Sequence, residues 1–291
     1  MTLVKPLSIS ICIPAYNEER TIASVLRRIL NSKQDEHFVI KDIIVVSDST
    51  DRTNDTVESL MRKGLNVRLI KSRKRLGLSG AINLFLENVK SDVVVIVDAD
   101  VFLEPDSISN LVKPFYEDVN ICATSGRKIP ISVCPIVLAF WNVHHELCLL
   151  YPKLCSSIMA FRNGIIDRIP RIFGTPDTYI MSVLEKKGLR ILYCPNAKGR
   201  TLEPNNLGGL IAQRKRIYIQ HLVLEKMLKY RPVAFKPQLY LRALLKALLN
   251  DRKAEMLNYL ICAVVEIFSR LLGLWTFRNE WLSSNTWEKV R

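Results

Sequence analysis

Asp92-Val-Val-Val-Ile-Val-Asp-Ala-Asp100 carries the architecture. Five consecutive β-branched residues without polar alternation read as a strand buried on both faces, as the middle of a parallel sheet requires. Reading back toward the amino terminus, the pattern alternates. Gly80 to Val89 reads as a helix and Asn66-Val-Arg-Leu-Ile70 as a strand. A helix through Val57, Leu60 and Met61 follows the capping residues Ser49, Thr50 and Asp51. Asp42-Ile-Ile-Val-Val46 is a strand, Arg20 to Asn31 has helical periodicity through Ile22, Val25, Leu26 and Ile29, and Ser8 to Ile13 is a strand closed by Pro14. This alternation predicts an α/β protein, Rossmann-like, with a mostly parallel central sheet, right-handed crossovers and flanking helices. Ligands of such sheets sit beyond the carboxyl ends of the strands. That places Pro14 to Glu18, Ser47 to Asp51, Lys71 to Gly80 and Asp98 to Asp100 on one rim.

Beyond Asp100 the pattern loosens. Ile131 to Leu150 is apolar and aromatic, broken by His144, His145 and Glu146, which point apart on a helix and form no metal site. Leu189 to Tyr193 is a late strand, and from Leu207 onward the sequence reads as helical.

Net charge is +14, from 42 Lys and Arg against 28 Asp and Glu. The excess is concentrated: Arg200 to Lys253 holds 12 basic and 3 acidic residues, whereas Ala254 to Arg291 holds 4 of each. Such a block suits an anionic partner. Arg242 and Lys246 lie at i,i+4 on Pro237 to Asn250, with Leu241, Leu244, Leu245, Leu248 and Leu249 expected on the other side, an amphipathic basic helix. Glu255 to Phe277 is long enough to cross a bilayer, yet Glu266 and Arg270 inside it are costly at a bilayer centre. They also lie at i,i+4, the spacing of an ion pair. With Trp275, Trp281 and Trp287 near its end, the helix is expected to lie in the membrane interface. Seven scattered cysteines without a CxxC suit reduced thiols rather than a disulfide framework, and no secretory leader is read at the amino terminus. Globular composition, 48% hydrophobic and 24% charged, excludes a disordered or collagenous chain.

Asp98 and Asp100 repel each other unless a positive charge stands by them, and a hard divalent cation shared with substrate phosphates answers that need. Two strand-end aspartates alone are equally well satisfied by backbone N–H groups or water. Three further segments accompany them in order: Ile13-Pro-Ala-Tyr-Asn-Glu18, Val46-Ser-Asp-Ser-Thr-Asp-Arg-Thr53 and Arg73-Lys-Arg-Leu-Gly-Leu-Ser-Gly80.

Together these segments resemble the inverting glycosyltransferases of family 2, whose fold is GT-A, over roughly residues 8 to 217. Leu76-Gly-Leu-Ser-Gly80 is similar to the dolichol-phosphate-mannose synthase branch. Thr175-Pro-Asp177 and Gln213-Arg-Lys-Arg-Ile217 are similar to the Thr-Glu-Asp and Gln-x-x-Arg-Trp elements of the cellulose and hyaluronan synthase branch. Pro176 replaces the Glu, and Ile217 replaces a Trp that stacks on an acceptor sugar, so processive synthesis is not expected. The resemblance implies that Pro14, Tyr16, Glu18, Asp48 and Arg75 contact a nucleotide-sugar. Asp98 would face the ribose or the metal shell, and Asp100 would bind Mg²⁺ or Mn²⁺ through the diphosphate. Asp177 would be the general base. Arg162, Gly164, Gln213, Arg214 and Arg216 would line the diphosphate and acceptor channel. His221 is read as a solvated helix residue.

The expected organisation is a GT-A catalytic domain over 1–217 and a helical, basic, membrane-associating region over 218–291. The expected function is a peripheral enzyme, a mannosyltransferase or related hexosyltransferase of glycan biosynthesis, on the cytoplasmic face of a membrane with an anionic surface. It would use a UDP-sugar or GDP-mannose and a lipid-linked or membrane-proximal glycan acceptor, and no nucleic acid. A sugar hydroxyl needs a base, unlike an already ionised polyprenyl phosphate, so Asp177 favours the former as acceptor. The alternative is a non-catalytic basic α/β module holding nucleic acid or acidic lipid. It has no use for paired rim carboxylates, and the basic block lacks interleaved aromatics for base stacking. A nucleotidyltransferase would leave the Thr-Pro-Asp and Gln-x-x-Arg elements without a role.

Overall fold

The computed structural model describes residues 5–251 and 255–281, with side chains to residue 279. The chain forms two compact units. The first comprises Met1–Ile129, Lys153–Arg171 and Ile180–Thr201; the second comprises Pro130–Pro152, Ile172–Tyr179 and Leu202–Arg291.

The first unit is built on an eight-stranded sheet. Its elements begin with β1 (Leu7–Ala15), α1 (Ile22–Leu30), β2 (Phe38–Ser47), α2 (Thr53–Arg62), β3 (Arg68–Lys71), α3 (Gly77–Leu86) and β4 (Val93–Val97). They continue with β5 (Val101–Leu103), α4 (Ser107–Glu117), β6 (Ile121–Ile131), β7 (Ile158–Arg162), α6 (Pro176–Lys186), of which the part from Ile180 onward belongs to this unit, and β8 (Arg190–Leu202), with α5 (Pro135–Leu150) lying between β6 and β7 in sequence. Strand order is β3-β2-β1-β4-β7-β6-β8-β5. The strands carrying the early motifs pair in parallel, β3 on β2, β2 on β1 and β1 on β4. The later pairs β4–β7, β6–β7 and β5–β8 are antiparallel.

All five residues of β4 are buried, which explains its unbroken apolar run. Asp92 anchors its entry by accepting from the Ser8 amide at 2.8 Å and hydroxyl at 2.5 Å. The core unites Ile9, Ile11 and Ile13 of β1 with Val25 and Leu26 of α1, Val95 of β4 and Phe115 of α4. Each such fully buried side chain contributes about 1.5–3 kcal/mol of transfer free energy. Gly126 permits close passage of β6 by the chain at Ala197, whose carbonyl oxygen would lie 2.4 Å from an added Cβ. The third helix starts at Gly77 rather than Gly80, and Gly77 enters it with a φ of +65°, which a residue carrying a Cβ would resist.

The second unit is helical. It holds α5, the Ile172–Tyr179 segment, α7 (Leu207–Leu228), α8 (Pro237–Asn250) and α9 (Met256–Thr276). Asn206 caps α7 by accepting from the Gly209 amide at 2.8 Å. Trp141, Val143 and Leu147 of α5 pack with Ala243 and Ala247 of α8 and with Tyr259, Cys262 and Val265 of α9. A boundary at 217 would cut α7, which is one continuous helix; the second unit instead takes segments from three parts of the chain. Trp287 lies outside the described residues, as does the Trp281 side chain.

Candidate nucleotide-sugar site

The rim of the parallel strands is stitched together by short polar side chains. Asn17 takes a left-handed backbone, φ 57°, which a short amide side chain tolerates. Its side-chain oxygen accepts from the Thr50 amide at 2.9 Å, and its own amide donates to Ser49 at 3.0 Å. The Glu18 amide donates to the Thr53 hydroxyl at 2.8 Å, and the Glu19 amide to Asp51 at 3.2 Å. The loops after β1 and β2 therefore hold each other. Asn17 and Thr53 were not singled out in the sequence, and Ser49 was read only as a capping residue; an Asn between two candidate contact residues was the available signal.

Beside this seam, Asp48 is buried and gathers three donors. The Arg75 guanidinium donates to both its oxygens at 2.6 Å, the Leu76 amide at 2.5 Å and the Gly77 amide at 3.2 Å. Asp48 thus closes the amino terminus of α3 as well as gripping Arg75, a placement the helix dipole favours. Arg75 also covers the ring of Tyr16, its guanidinium carbon 3.4 Å from the centroid. Tyr16 is 43% exposed, so its ring and the guanidinium form an open, flat, polar-edged platform. Pro14 lies in β1 opposite Val46 of β2.

Asp98 follows the last residue of β4; its amide donates to the Ser157 carbonyl at 3.2 Å, and its carbonyl accepts from Val101 at 3.1 Å. Acidic charge accumulates here. Burial, then the charges of Asp100 and Asp51, push the Glu18 carboxyl up, against a Thr21 hydroxyl donating at 2.6 Å. Burial and then Asp98 push the Cys12 thiol up. Glu18 and Asp100, near enough to perturb each other, form a like-charged set that a cation would relieve. Among the described residues, no three His, Cys, Asp or Glu side chains form a metal cage of their own. Carboxylate oxygens such as those of Glu18, Asp98 and Asp100 are the donors that a hard divalent cation takes.

Three expected contacts are corrected. Arg162 ends β7 opposite Val93, the first residue of β4, whereas Ile158 lies opposite Val97. It therefore stands at the far end of β4 from Asp98, donating to the Ile121 and Phe115 carbonyls at 2.9 and 2.8 Å. Gly164 follows it into a turn with φ +83°, next to Asn163, whose amide donates to the Asp92 carbonyl. Both are structural, because β7 runs antiparallel to β4, which puts Ser157 rather than Gly164 at the rim. Arg214 is the third. It is half-buried and committed to Glu266 through two hydrogen bonds of 2.9 and 3.2 Å.

Glu266 also accepts from Arg270 at 2.8 and 3.0 Å, which realises the expected i,i+4 pair. Arg270 in turn donates to the Ala234 carbonyl at 2.6 Å. Burial alone would raise the Glu266 carboxyl; the two guanidiniums outweigh it and hold it at about 2.

Within the second unit, Pro176 opens α6, where a missing N–H costs nothing, and Asp177 follows in the first turn. Gln213 donates to Glu203 at 3.1 Å, while its side-chain oxygen is buried without a partner. Arg216 is exposed. His221 is not a solvated helix residue: it is half-buried, 3.5 Å from the Thr178 hydroxyl and 6.5 Å from the Phe235 ring centroid. Glu146 is buried and accepts from Asn250 at 2.8 Å.

Residues 10–141 match the family described as glycosyl transferase family 2. The chain is 33% identical over 107 residues to a dolichol-phosphate mannosyltransferase of Pyrococcus furiosus, covering 37% of this chain and 30% of that protein. It is 24% identical over 229 residues to a poly-beta-1,6-N-acetyl-D-glucosamine synthase of Staphylococcus aureus, covering 72% and 53% respectively. The chain thus spans about half or less of the length of these relatives. Among solved structures it is similar to a mannosyltransferase of Pyrobaculum calidifontis in complex with GDP-Man and Mn²⁺, with a TM-score of 0.64 at 21% identity over 99% of this chain and 79% of that one. It is also similar to glucosyl-3-phosphoglycerate synthase of Mycobacterium tuberculosis with Mn²⁺, UDP-glucose and phosphoglyceric acid, at 0.53 and 21%, over 74% and 78%. These last two are likenesses of fold, and that fold is GT-A.

Proposed function

We propose that this chain, which carries a glycosyl transferase family 2 domain, moves a sugar with inversion from a UDP-sugar or GDP-mannose to a lipid-linked or membrane-proximal glycan. The observation that carries the reading is the rim itself. A flat Tyr16–Arg75 platform anchored by Asp48 stands on the same strand ends as an acidic set of Glu18, Asp98 and Asp100. Tyr16 and Arg75 suit a nucleobase face and edge, and Asp48 suits a base or ribose donor.

Asp98 and Asp100 would hold Mg²⁺ or Mn²⁺, which when bound supplies charge to offset the leaving diphosphate. Asp177 takes the proton of the acceptor hydroxyl as its oxygen attacks the anomeric carbon. The carbon–phosphate oxygen bond breaks on the opposite side, and nucleoside diphosphate departs. Gln213 and Arg216 are assigned to the diphosphate and acceptor. Replacement of the stacking Trp by Ile217 supports a single transfer rather than polymerisation.

The second unit supports attachment to a membrane surface. From Met256 to Trp275, the most exposed residues of α9 are Met256, Leu257, Leu260, Val264, Ile267, Phe268, Leu271 and Trp275, all apolar. Glu266, Ser269 and Arg270 of the same helix face the bundle. Met256–Asn279 has a mean hydropathy of 1.8 over its most apolar window. On α8, Leu241, Leu245 and Leu249 are exposed beside exposed Arg242 and Lys246. A helix with one apolar face outward and an ion pair inward suits lying in the interface of an anionic leaflet.

The test is release of nucleoside diphosphate by detergent-solubilised protein from GDP-mannose, UDP-glucose and UDP-N-acetylglucosamine with Mn²⁺ or Mg²⁺, and thermal shifts in the same samples. One donor is expected to turn over, with loss in EDTA, in Asp100→Asn and in Asp177→Asn. Neither release nor a shift with any donor would overturn the reading and favour a basic binding module.

A further inference from the structure

The segment that carries Asp177 and the helix that carries Gln213 and Arg216 belong to one compact unit and touch at two points. The Gly174 amide donates to the Gln220 side-chain oxygen at 2.8 Å. The Thr178 hydroxyl lies 3.5 Å from His221 Nε2. One contact falls three residues before Asp177 and the other immediately after it. Position 174 is fitted to its partner: an added Cβ would meet the Gln220 side chain at 3.2 Å. Pro176 contributes no N–H to this turn, so Gly174 offers one of the few amides by which it can be tied down.

Apolar packing backs both contacts. Phe173 is fully buried, stacks on Tyr179 with ring centroids 5.2 Å apart, and clusters with Leu222, Val223 and Leu224 of α7. Gln213, Arg216 and Gln220 fall at i, i+3 and i+7, one face of α7. The residue that ties down the Asp177 segment thus continues the row assigned to diphosphate and acceptor.

We infer that Gln220, with His221 as a weaker second, is a positioning residue that fixes where the Asp177 segment stands on α7. The inference rests on Asp177 as the base. A base must lie within hydrogen-bond reach of the proton it takes, and a displacement of about 1 Å costs on the order of 100-fold in rate. Gln220 acts through that segment and touches no reacting atom.

Gln220→Ala, Gln220→Glu, His221→Ala and Asp177→Asn are compared in the full chain. Amide hydrogen exchange is read in peptides covering Ile172–Tyr179, and nucleoside diphosphate release from GDP-mannose and UDP-glucose with Mn²⁺ is measured alongside. Gln220→Ala is expected to speed exchange of that segment about 10-fold, the worth of one hydrogen bond. It is expected to lower kcat about 10- to 100-fold with the donor KM unchanged. Gln220→Glu keeps an acceptor of the same length and restores both, and His221→Ala moves both in the same direction by less. Unchanged exchange in Gln220→Ala overturns the inference, as does equal loss of kcat in Gln220→Ala and Gln220→Glu. Full turnover in Asp177→Asn refutes the base instead, while the exchange result still decides whether Gln220 holds the segment.

Discussion

The rim of the first unit and the interior of the second both hold carboxylates, in opposite surroundings. The Glu18 carboxyl is pushed up, by burial first and then by its acidic neighbours Asp100 and Asp51. Glu266 has two guanidiniums on it, and its carboxyl is pulled down to about 2. Isolated in sequence, an Asp-x-Asp at a strand end and a Glu-x-x-x-Arg in an apolar helix both look like costly charge. The surroundings separate them. The first concentrates like charge and invites a cation with an anionic ligand; the second is neutralised inside the fold and serves packing.

If that contrast holds, substitutions on the two sides fail differently. On the proposed reading, Asp100 of the rim and Asp177 of the second unit set the rate. Asp177→Asn is expected to lower kcat by about 10²–10⁴, the usual worth of a general base, and Asp100→Asn by about 10²–10³. Both should leave the unfolding midpoint within a few degrees of wild type, read by calorimetry beside the turnover assay. Glu266→Gln should do the reverse. It strands Arg214 and Arg270 in the bundle and should cost about 3–5 kcal/mol in urea unfolding. Arg75→Ala should raise the donor KM about 10-fold with little change in kcat, because it removes a stacking and ion-pairing partner rather than a reacting group.

A pH titration sharpens the same division. Glu266 ionises at about 2 in the fold against 4.5 ordinarily, so its contribution to stability is present above 4.5 and lost as pH falls toward 2. Urea midpoints measured from pH 6 to 2.5 should fall with a steeper acid limb in wild type than in Glu266→Gln. The smallest effect is expected at the apolar face. Leu260→Asp and Ile267→Asp, both on exposed α9 positions, should weaken flotation with vesicles containing phosphatidylserine while leaving donor KM unchanged.

How much of this was legible in sequence follows from the range of the interactions involved. The parallel half of the sheet was readable because each strand is a local apolar run between capping and turn residues, as at Ser8 to Pro14 and Asp92 to Val97. The rim followed from strand direction alone. Arg162 and Gly164 were misplaced because the direction of β7 depends on its pairing with β4, about 65 residues away in sequence. Arg214 looked like Arg216 in sequence, two basic residues on one helix; only the distant Glu266 tells them apart. The make-up of the second unit is likewise not local, since it gathers pieces whose contacts lie far apart along the chain.

The most direct test is the binding of GDP and UDP to wild type, Asp100→Asn and Glu266→Gln by isothermal titration calorimetry, with Mn²⁺ and with EDTA. The account predicts Mn²⁺-dependent binding of at least one nucleotide, lost in Asp100→Asn and retained by folded Glu266→Gln. Nucleotide binding that survives both EDTA and Asp100→Asn would contradict it.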